Sequence, residues 1–362
     1  MNKVIISGIQ QIGIGVKNVK EAWGWYKKYF GIDVRILEES APAEFMLPYT
    51  GGKPKNRHAA LAVTLQGGGG FEIWNHTDFE PRAASFEIQL GDLGLFAAKI
   101  KCKDPEKTYA WFKDANQNLL GPIFEFEGTK HFFIKDPYGN IFQLIPATDW
   151  FHEENKLTGG GYGIILGCTD IEKSTDFYGQ ILGYDKVVYD KTGVFEDFKV
   201  LPGGDGEFRR VLLRHSKPRE GAFGELFGNS EVELVQVKNR APRKIFEGRF
   251  WGELGFIHLC YDIHGMDNLR EKGKNYGCPF TVDTGEIFKD SSFDMGDAAG
   301  LFAYIEDPDG ALIEFVETHK VPIMKKLGIS LNLQKRDPKK PLPRYIVKAL
   351  RFLKAKDIPV PE

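Results

Sequence analysis

The sequence predicts an α+β fold: four copies of one strand–helix–three-strand unit, βαβββ, followed by a helical tail. Three observations predict it. The stretch FAYIEDPDGALIEF (Phe302–Phe315) rewrites FFIKDPYGNIFQL (Phe132–Leu144) with few changes. The stretch QIGIGVKNVKEAWGWYKKYFGIDV (Gln11–Val34) lies in one register with GIILGCTDIEKSTDFYGQILGYDKV (Gly163–Val187). Between these phrases, apolar residues recur with the period of two that marks strands. Self-similarity of this kind decides a fold before any single element does.

The elements follow in order. In Gln11–Val16, Ile12, Ile14 and Val16 form one apolar face and Gln11 points to the other. A polar turn leads to a helix with an aromatic face of Trp25, Tyr26 and Tyr29, matched in the third unit by Phe177, Tyr178 and Ile181. Asn18 aligns with Asp170, and Gly31 with Gly183; the two glycines read as helix stops. β-like segments close the first unit near Gly69–His76 and the third near Ser230–Val237. The second and fourth units open at Gly94–Asp104 and Gly255–Gly265. In the fourth, Ile257, Leu259, Tyr261 and Ile263 are expected on one face and His258 on the other. Both units end in a DP-x-G turn, where Pro presets φ and Gly supplies a positive φ. The Asp/Pro/Gly residues are read as turn formers only. Units one and three match best, as do two and four, the mark of a two-unit ancestor duplicated once. Two halves are therefore expected, residues 1–150 and 151–320, followed by a basic C-terminal extension, residues 321–362. The glycine run Gly159–Gly161 reads as the linker between the halves.

Composition bounds the function. The chain has 362 residues, 42% hydrophobic and 27% charged, which is ordinary for a folded protein. A net charge of -2 gives no reason to expect a nucleic-acid partner. Cys102, Cys168, Cys260 and Cys278 are far apart, with no CxxC pair, which argues against a disulfide scaffold and fits a reducing compartment. The N-terminus lacks a signal-peptide core and no apolar run could span a bilayer, so a cytoplasmic protein without a membrane partner is expected. The glycine runs lack the strand–helix setting of nucleotide loops, and there is no GxSxG elbow.

With four strand–helix openings and two DP-x-G-x-x-x-[EQ] closings in register, the chain resembles the vicinal oxygen chelate superfamily from residue 5 to residue 318. That superfamily includes glyoxalase I, extradiol dioxygenases and bleomycin-binding proteins. The resemblance implies modules paired into two curved, half-open barrels. It also implies metal ligands on the first and last strands of the modules, facing the barrel interior.

At those positions unit one offers Gln11 and Glu72, unit two Ala97 and Gln143, unit three Gly163 and Glu233, and unit four His258 and Glu314. Each Glu is flanked by apolar residues, and glutamate is disfavoured in strands. If units pair in sequence order, the site is Glu233, His258 and Glu314, with a gap at Gly163. If unit four meets unit one, the site is Gln11, Glu72, His258 and Glu314. The second set is complete and is similar to that of Gln-type glyoxalases. It is preferred here, with Glu233 as the alternative ligand. One imidazole and three oxygen donors suit one divalent ion: Zn, Ni, Co, Mn or Fe.

The resemblance then implies three functions. The first is a lyase or isomerase acting on a small substrate through a metal-stabilised enediolate, with Glu72 or Glu314 as the base. Gly15 stands where glyoxalase I has its glutathione-binding arginine, so a glutathione substrate is not expected. The second is an extradiol-type dioxygenase using Tyr304, which lies ten residues before Glu314 where the earlier copy has Phe133. Gly163 in place of the usual histidine speaks against it. The third is a resistance-type protein that binds a small molecule without chemistry. A monomer or homodimer suffices for any of them.

Among the other histidines only His76, four residues after Glu72, is a candidate substrate contact. The tail is Lys- and Pro-rich to Pro343 and predicted helical from Arg344 to Lys356. Ile346, Leu350 and Leu353 form an apolar stripe that is expected to dock on the second half.

Overall fold

Each of the four openings folds as predicted in this computed structural model, which describes residues 4–288, 292–295, 298–324 and 329–361. Unit one comprises β1 (Ile5–Gly15), α1 (Val19–Phe30), β2 (Val34–Pro42), β3 (Asn56–Val63) and β4 (Gly70–His76). Unit two comprises β5 (Gly94–Cys102), α2 (Pro105–Asp114), β6 (Asn118–Phe126), β7 (Thr129–Lys135) and β8 (Ile141–Pro146). Unit three comprises β9 (Thr158–Gly167), α3 (Ile171–Leu182), β10 (Lys186–Gly193), β11 (Phe208–Arg214), the short α4 (Gly224–Phe227) and β12 (Glu231–Val237). Unit four comprises β13 (Gly255–His264), α5 (Met266–Tyr276), the fragments β14 (Val282–Asp283), α6 (Thr284–Ile287) and β15 (Phe293–Met295), then β16 (Ala298–Glu306) and β17 (Leu312–Met324). The tail adds β18 (Ile329–Asn332) and α7 (Arg344–Lys348), which continues as a 3-10 turn over Ala349–Leu353.

The aligned polar residues are helix caps. Asn18 accepts a hydrogen bond from the Glu21 amide and Asp170 from the Lys173 amide. Gly31 and Gly183 end their helices in the left-handed conformation, at φ 68° and 75°.

Strand pairing crosses the halves of the chain. One sheet runs β14-β16-β17-β13-β1-β4-β3-β2, with β15 beside β16 and β18 beside β17. The other runs β10-β11-β12-β9-β5-β8-β7-β6. Unit four thus shares a curved half-barrel with unit one, and unit three with unit two. Helix packing instead joins neighbours in sequence. The hydroxyl of Tyr26 on α1 donates to Asp136 in the DPYG turn of unit two, at 2.7 Å. Tyr178 on α3 donates to Asp307 in the DPDG turn of unit four, at 3.2 Å. These aspartates also accept the turn's own backbone amides, so they are more than turn formers. One continuous core holds the outer faces of both sheets against these helices. It includes Ile12, Ile14, Phe71, Ala98, Phe142, Ile164, Trp23 and Phe177.

Two further sequence expectations need correction. Gly159–Gly161 is not a linker but the start of β9, packed against the other glycine run. Gly69 and Gly161 exchange two backbone hydrogen bonds at 2.8 Å, and the Gly160 amide donates to the Gly67 carbonyl. The runs are glycine because the backbones touch, and both are needed for the barrels to meet. The tail, in turn, does not dock on the second half alone. Leu342 and Val347 pack on Val34, Val63 and Leu65 of unit one as well as on Leu226 and Phe227 of unit three. Lys27 on α1 donates to the carbonyls of Ala355 and Ile358.

A Cβ on Gly160 would lie 2.2 Å from the Gly69 carbonyl oxygen. Gly160→Ala is therefore expected to cost about 1–3 kcal/mol by overpacking. A calorimetric scan should register this as a melting point several degrees lower; an unchanged value would contradict the tight junction.

Candidate metal centre

Four adjacent strands, in the order β17, β13, β1, β4, bring the preferred ligand set together. In this register Gly13 of β1 stands between His258 of β13 and Glu72 of β4, while Cys260 stands between Gln11 of β1 and Glu314 of β17. The Nε2 atom of His258 lies 3.3 Å from Glu72 Oε2 and 3.1 Å from Glu314 Oε2. The Gln11 amide donates to Glu314 Oε2 at 3.3 Å. Ligand atoms of Glu72, His258 and Glu314 all fall within 4.8 Å of one another. His258 is fully buried, while the side chains of Glu72 and Glu314 are 16% and 9% exposed.

Local sequence explains the convergence. Gly13 has to be glycine, since a Cβ there would sit 2.6 Å from the His258 ring. Glycine in a strand signals such a close approach, so the IGIG stretch carried this information. Strict alternation places Ile257 on the apolar face with Leu259. The pairing instead jumps from His258 to Phe256, so Ile257 is the extra residue of a β-bulge. Its side chain packs with Trp251 and Tyr304 on the barrel side.

The charges need a counter-ion. Among the described residues, Gln11 Oε1, Glu72 Oε2 and His258 Nε2 are buried without a well-formed hydrogen bond. Buried polar atoms of this kind are costly. Burial, and then Glu314, push the Glu72 carboxyl up to about 7. Burial alone would lower His258, but Glu314 and Glu72 outweigh it and raise it. A cation among these atoms would satisfy all three orphans and offset the repulsion, so the donor set fits a divalent ion.

Around this cluster, the Tyr304 hydroxyl lies 3.5 Å from His258 Nδ1. With its proton on Nδ1, the ring would offer the Nε2 lone pair to a cation held by the carboxylates. Burial, Glu314 and Glu72 raise Tyr304 well above the ordinary tyrosine range, so it stays neutral. Trp251 stacks parallel to His258, with ring centres 6.1 Å apart, and meets Trp74 edge-on. It comes from a loop with no strand or helix period, and the sequence held no signal for it. Cys260 is buried beside Glu314, and its thiol donates to Gln10 at 3.7 Å. The candidate His76 contacts no site residue of the cluster: its Nε2 meets the Trp251 carbonyl at 2.8 Å and holds the loop in place.

Glu233, the alternative ligand, lies in the other barrel. There the equivalent positions are Ala97, Gln143, Gly163 and Glu233, and the charge is neutralised from within. Lys99 Nζ lies 2.7 Å from both Glu231 and Glu233. Arg210 pairs with Glu233 and Asp197, covered by Phe126 and Phe198. Burial would raise Glu233, but Arg210 and Lys99 hold it well below the usual carboxylate range. A lysine and an arginine occupy the role that a metal ion would have, with Lys99 against Glu233 Oε2 and Arg210 against Glu233 Oε1.

Comparisons agree with this architecture. Residues 163–315 match the family model described as Glyoxalase/Bleomycin resistance protein/Dioxygenase superfamily. Glyoxalase I from Zea mays is similar in structure over 86% of this chain and 92% of its own, with a TM-score of 0.51 and 14% identity. A putative dioxygenase from Bacillus subtilis subsp. subtilis str. 168 is similar over 86% of each chain, with a TM-score of 0.54 and 13% identity. At such identities the likeness is one of fold. No curated protein sequence matches the chain. The family match over residues 163–315 and the four-unit fold together support a place for this chain in the Glyoxalase/Bleomycin resistance protein/Dioxygenase superfamily.

The two barrels make opposite predictions for metal content. His258→Ala should abolish stoichiometric divalent metal in a folded protein, and Glu72→Ala should lower affinity at least about tenfold. Glu233→Ala should leave metal content unchanged while destabilising the other barrel. Elemental analysis of the three purified variants checks the ranking; the reverse order for Glu72 and Glu233 would contradict it.

Proposed function

We propose that the chain is a metal-dependent lyase or isomerase acting on a small molecule with two neighbouring oxygens. The observation that carries this reading is the set of three buried, unsatisfied atoms on Gln11, Glu72 and His258 that face Glu314 and one another. Gln11, Glu72, His258 and Glu314 would hold one divalent ion, drawn from Zn, Ni, Co, Mn and Fe. When bound, that ion supplies Lewis acidity toward the substrate oxygens.

The protein's own groups handle the proton. Glu314 is tied down by the Gln11 amide, whereas Glu72 Oε2 has no hydrogen-bond partner. Glu72 is therefore the freer carboxylate. Its carboxylate is placed to take a proton from carbon next to a carbonyl and to return it. Neutral Tyr304 stands beside Nδ1 of the His258 ring. Trp251 and Trp74 exclude water from one side, which strengthens every charge interaction inside. All four donors come from one chain, so a monomer is sufficient. Among the described residues no helix is long and apolar enough to cross a membrane. The reading includes a cytoplasmic setting and a duplicated ancestry for residues 1–150 and 151–320.

Tyr304 supports a second reading. Its hydroxyl, beside His258, stands where a ring-cleaving dioxygenase would use an acid–base group. A single imidazole is a poorer match to that chemistry than to the first.

Hydrogen–deuterium exchange separates the readings. A panel of α-hydroxy ketones is incubated in D2O with the metal-loaded protein and followed by NMR. The proposal expects exchange at the carbon next to the carbonyl, reduced about 10²–10⁴-fold in Glu72→Gln. Oxygen uptake with catechols, and no exchange, would transfer the assignment to the dioxygenase. Neither reaction from a fully loaded protein would leave a binding protein.

A further inference from the structure

The tail carries charge out of proportion to the chain. Residues 335–356 hold nine lysines and arginines against one acid, Asp337, a net +8 in a protein whose total is -2. Much of that charge is unspent. Lys354 is paired with Asp33 and Glu154, and Arg344 with Glu225. Lys335, Lys339, Lys348 and Lys356 have no ion-pair partner among the described residues, and Arg351 only covers the Phe352 ring.

The helical part of this tail has two distinct faces. Val347, Leu350 and Leu353 pack inward on units one and three. Tyr345 and Phe352 point the other way, 75% and 76% exposed, more than any other large hydrophobic residue described. They are seven residues apart, two helical turns, with Lys348 on the same side between them. Aromatic rings beside lysine and arginine, on the outer face of a helix already anchored by its other side, match what an interfacial helix offers a bilayer. The acidity of the rest of the molecule does not oppose this, because only charge within about a Debye length of the surface acts strongly.

We propose that this outer face rests on an anionic lipid surface, with Tyr345 and Phe352 entering the headgroup layer and Lys348 and Arg351 facing lipid phosphates and carboxylates. The lipid surface is preferred to a nucleic acid because the two rings stand seven residues apart, one on the α turn and one on the 3-10 turn that follows it, too far to stack successive bases. It is also distinct from crossing a membrane, for which the described residues offer no helix. The proposal is independent of the metal centre.

Co-sedimentation of the full chain with vesicles tests it. At about 0.1 M salt the protein should bind phosphatidylcholine vesicles containing about 30% phosphatidylserine and leave pure phosphatidylcholine vesicles unbound. Lys348→Glu with Arg351→Glu should lower the partition at least about tenfold. Because a tail variant could detach from the body, Tyr345→Trp supplies a second readout. Its added fluorescence should shift to the blue with anionic vesicles and be quenched by brominated lipid. No binding to anionic vesicles, or an unshifted signal from the Tyr345→Trp variant, would overturn the proposal. So would binding to a single-stranded oligonucleotide or to a second copy of the chain in place of vesicles.

Discussion

β1 and β13 run antiparallel at the middle of the ten-stranded sheet, with Gly13 opposite His258. The candidate centre depends on that pairing. It joins strands from opposite ends of the chain and sets Glu72 and Glu314 on its two flanks through the parallel neighbours β4 and β17. Because side chains alternate with a period of two, a one-residue slip would turn His258 away from Gln11 and into the helices. Register is therefore a functional quantity here. It is protected by the apolar faces of both strands, which are committed to the continuous core, and by the bulge at Ile257, which fits only one alignment.

The second barrel shows how the same frame balances its charge without an ion. Glu233 is the positional equivalent of Glu72 and at least as deeply buried, yet its surroundings are opposite. Lys99 and Arg210 place two cations against it, and Tyr189 donates to it at 2.7 Å. Removing one partner of a buried pair usually costs about 3–5 kcal/mol, so this network resists piecemeal loss. In the first barrel the carboxylates meet an imidazole and an amide, which leaves anionic charge uncompensated. One duplicated scaffold thus carries one internal ion-pair network and one cluster still short of positive charge.

Much of this was legible in the sequence because repetition supplied an internal alignment. The repeat located the caps Asn18 and Asp170 and the helix stops Gly31 and Gly183, and the family resemblance pointed to the positions Gln11, Glu72, His258 and Glu314. Completeness of the donor set then favoured the crosswise pairing of units. What stayed hidden depends on contacts distant in sequence. Lys99 reads as a polar residue of β5 until β9 and β12 bring Glu231 and Glu233 to it. Gly159–Gly161 reads as a linker until Gly67–Gly70 is found against it. The bulge at Ile257 leaves the alternation almost intact, so period alone put that side chain on the wrong face. Trp251 and the docking site of the tail arise where loops meet two units at once, and no local pattern records that.

The central claim is that one barrel, and not its twin, holds a cation by side chains from the first and last units. Crystals soaked in zinc and measured across the zinc absorption edge test it directly. The account predicts one strong anomalous peak at about 2.0–2.2 Å from His258 Nε2 and from oxygens of Glu72 and Glu314, with no peak beside Glu233. A peak among Lys99, Arg210 and Glu233, or none at His258 in fully soaked crystals, would contradict it.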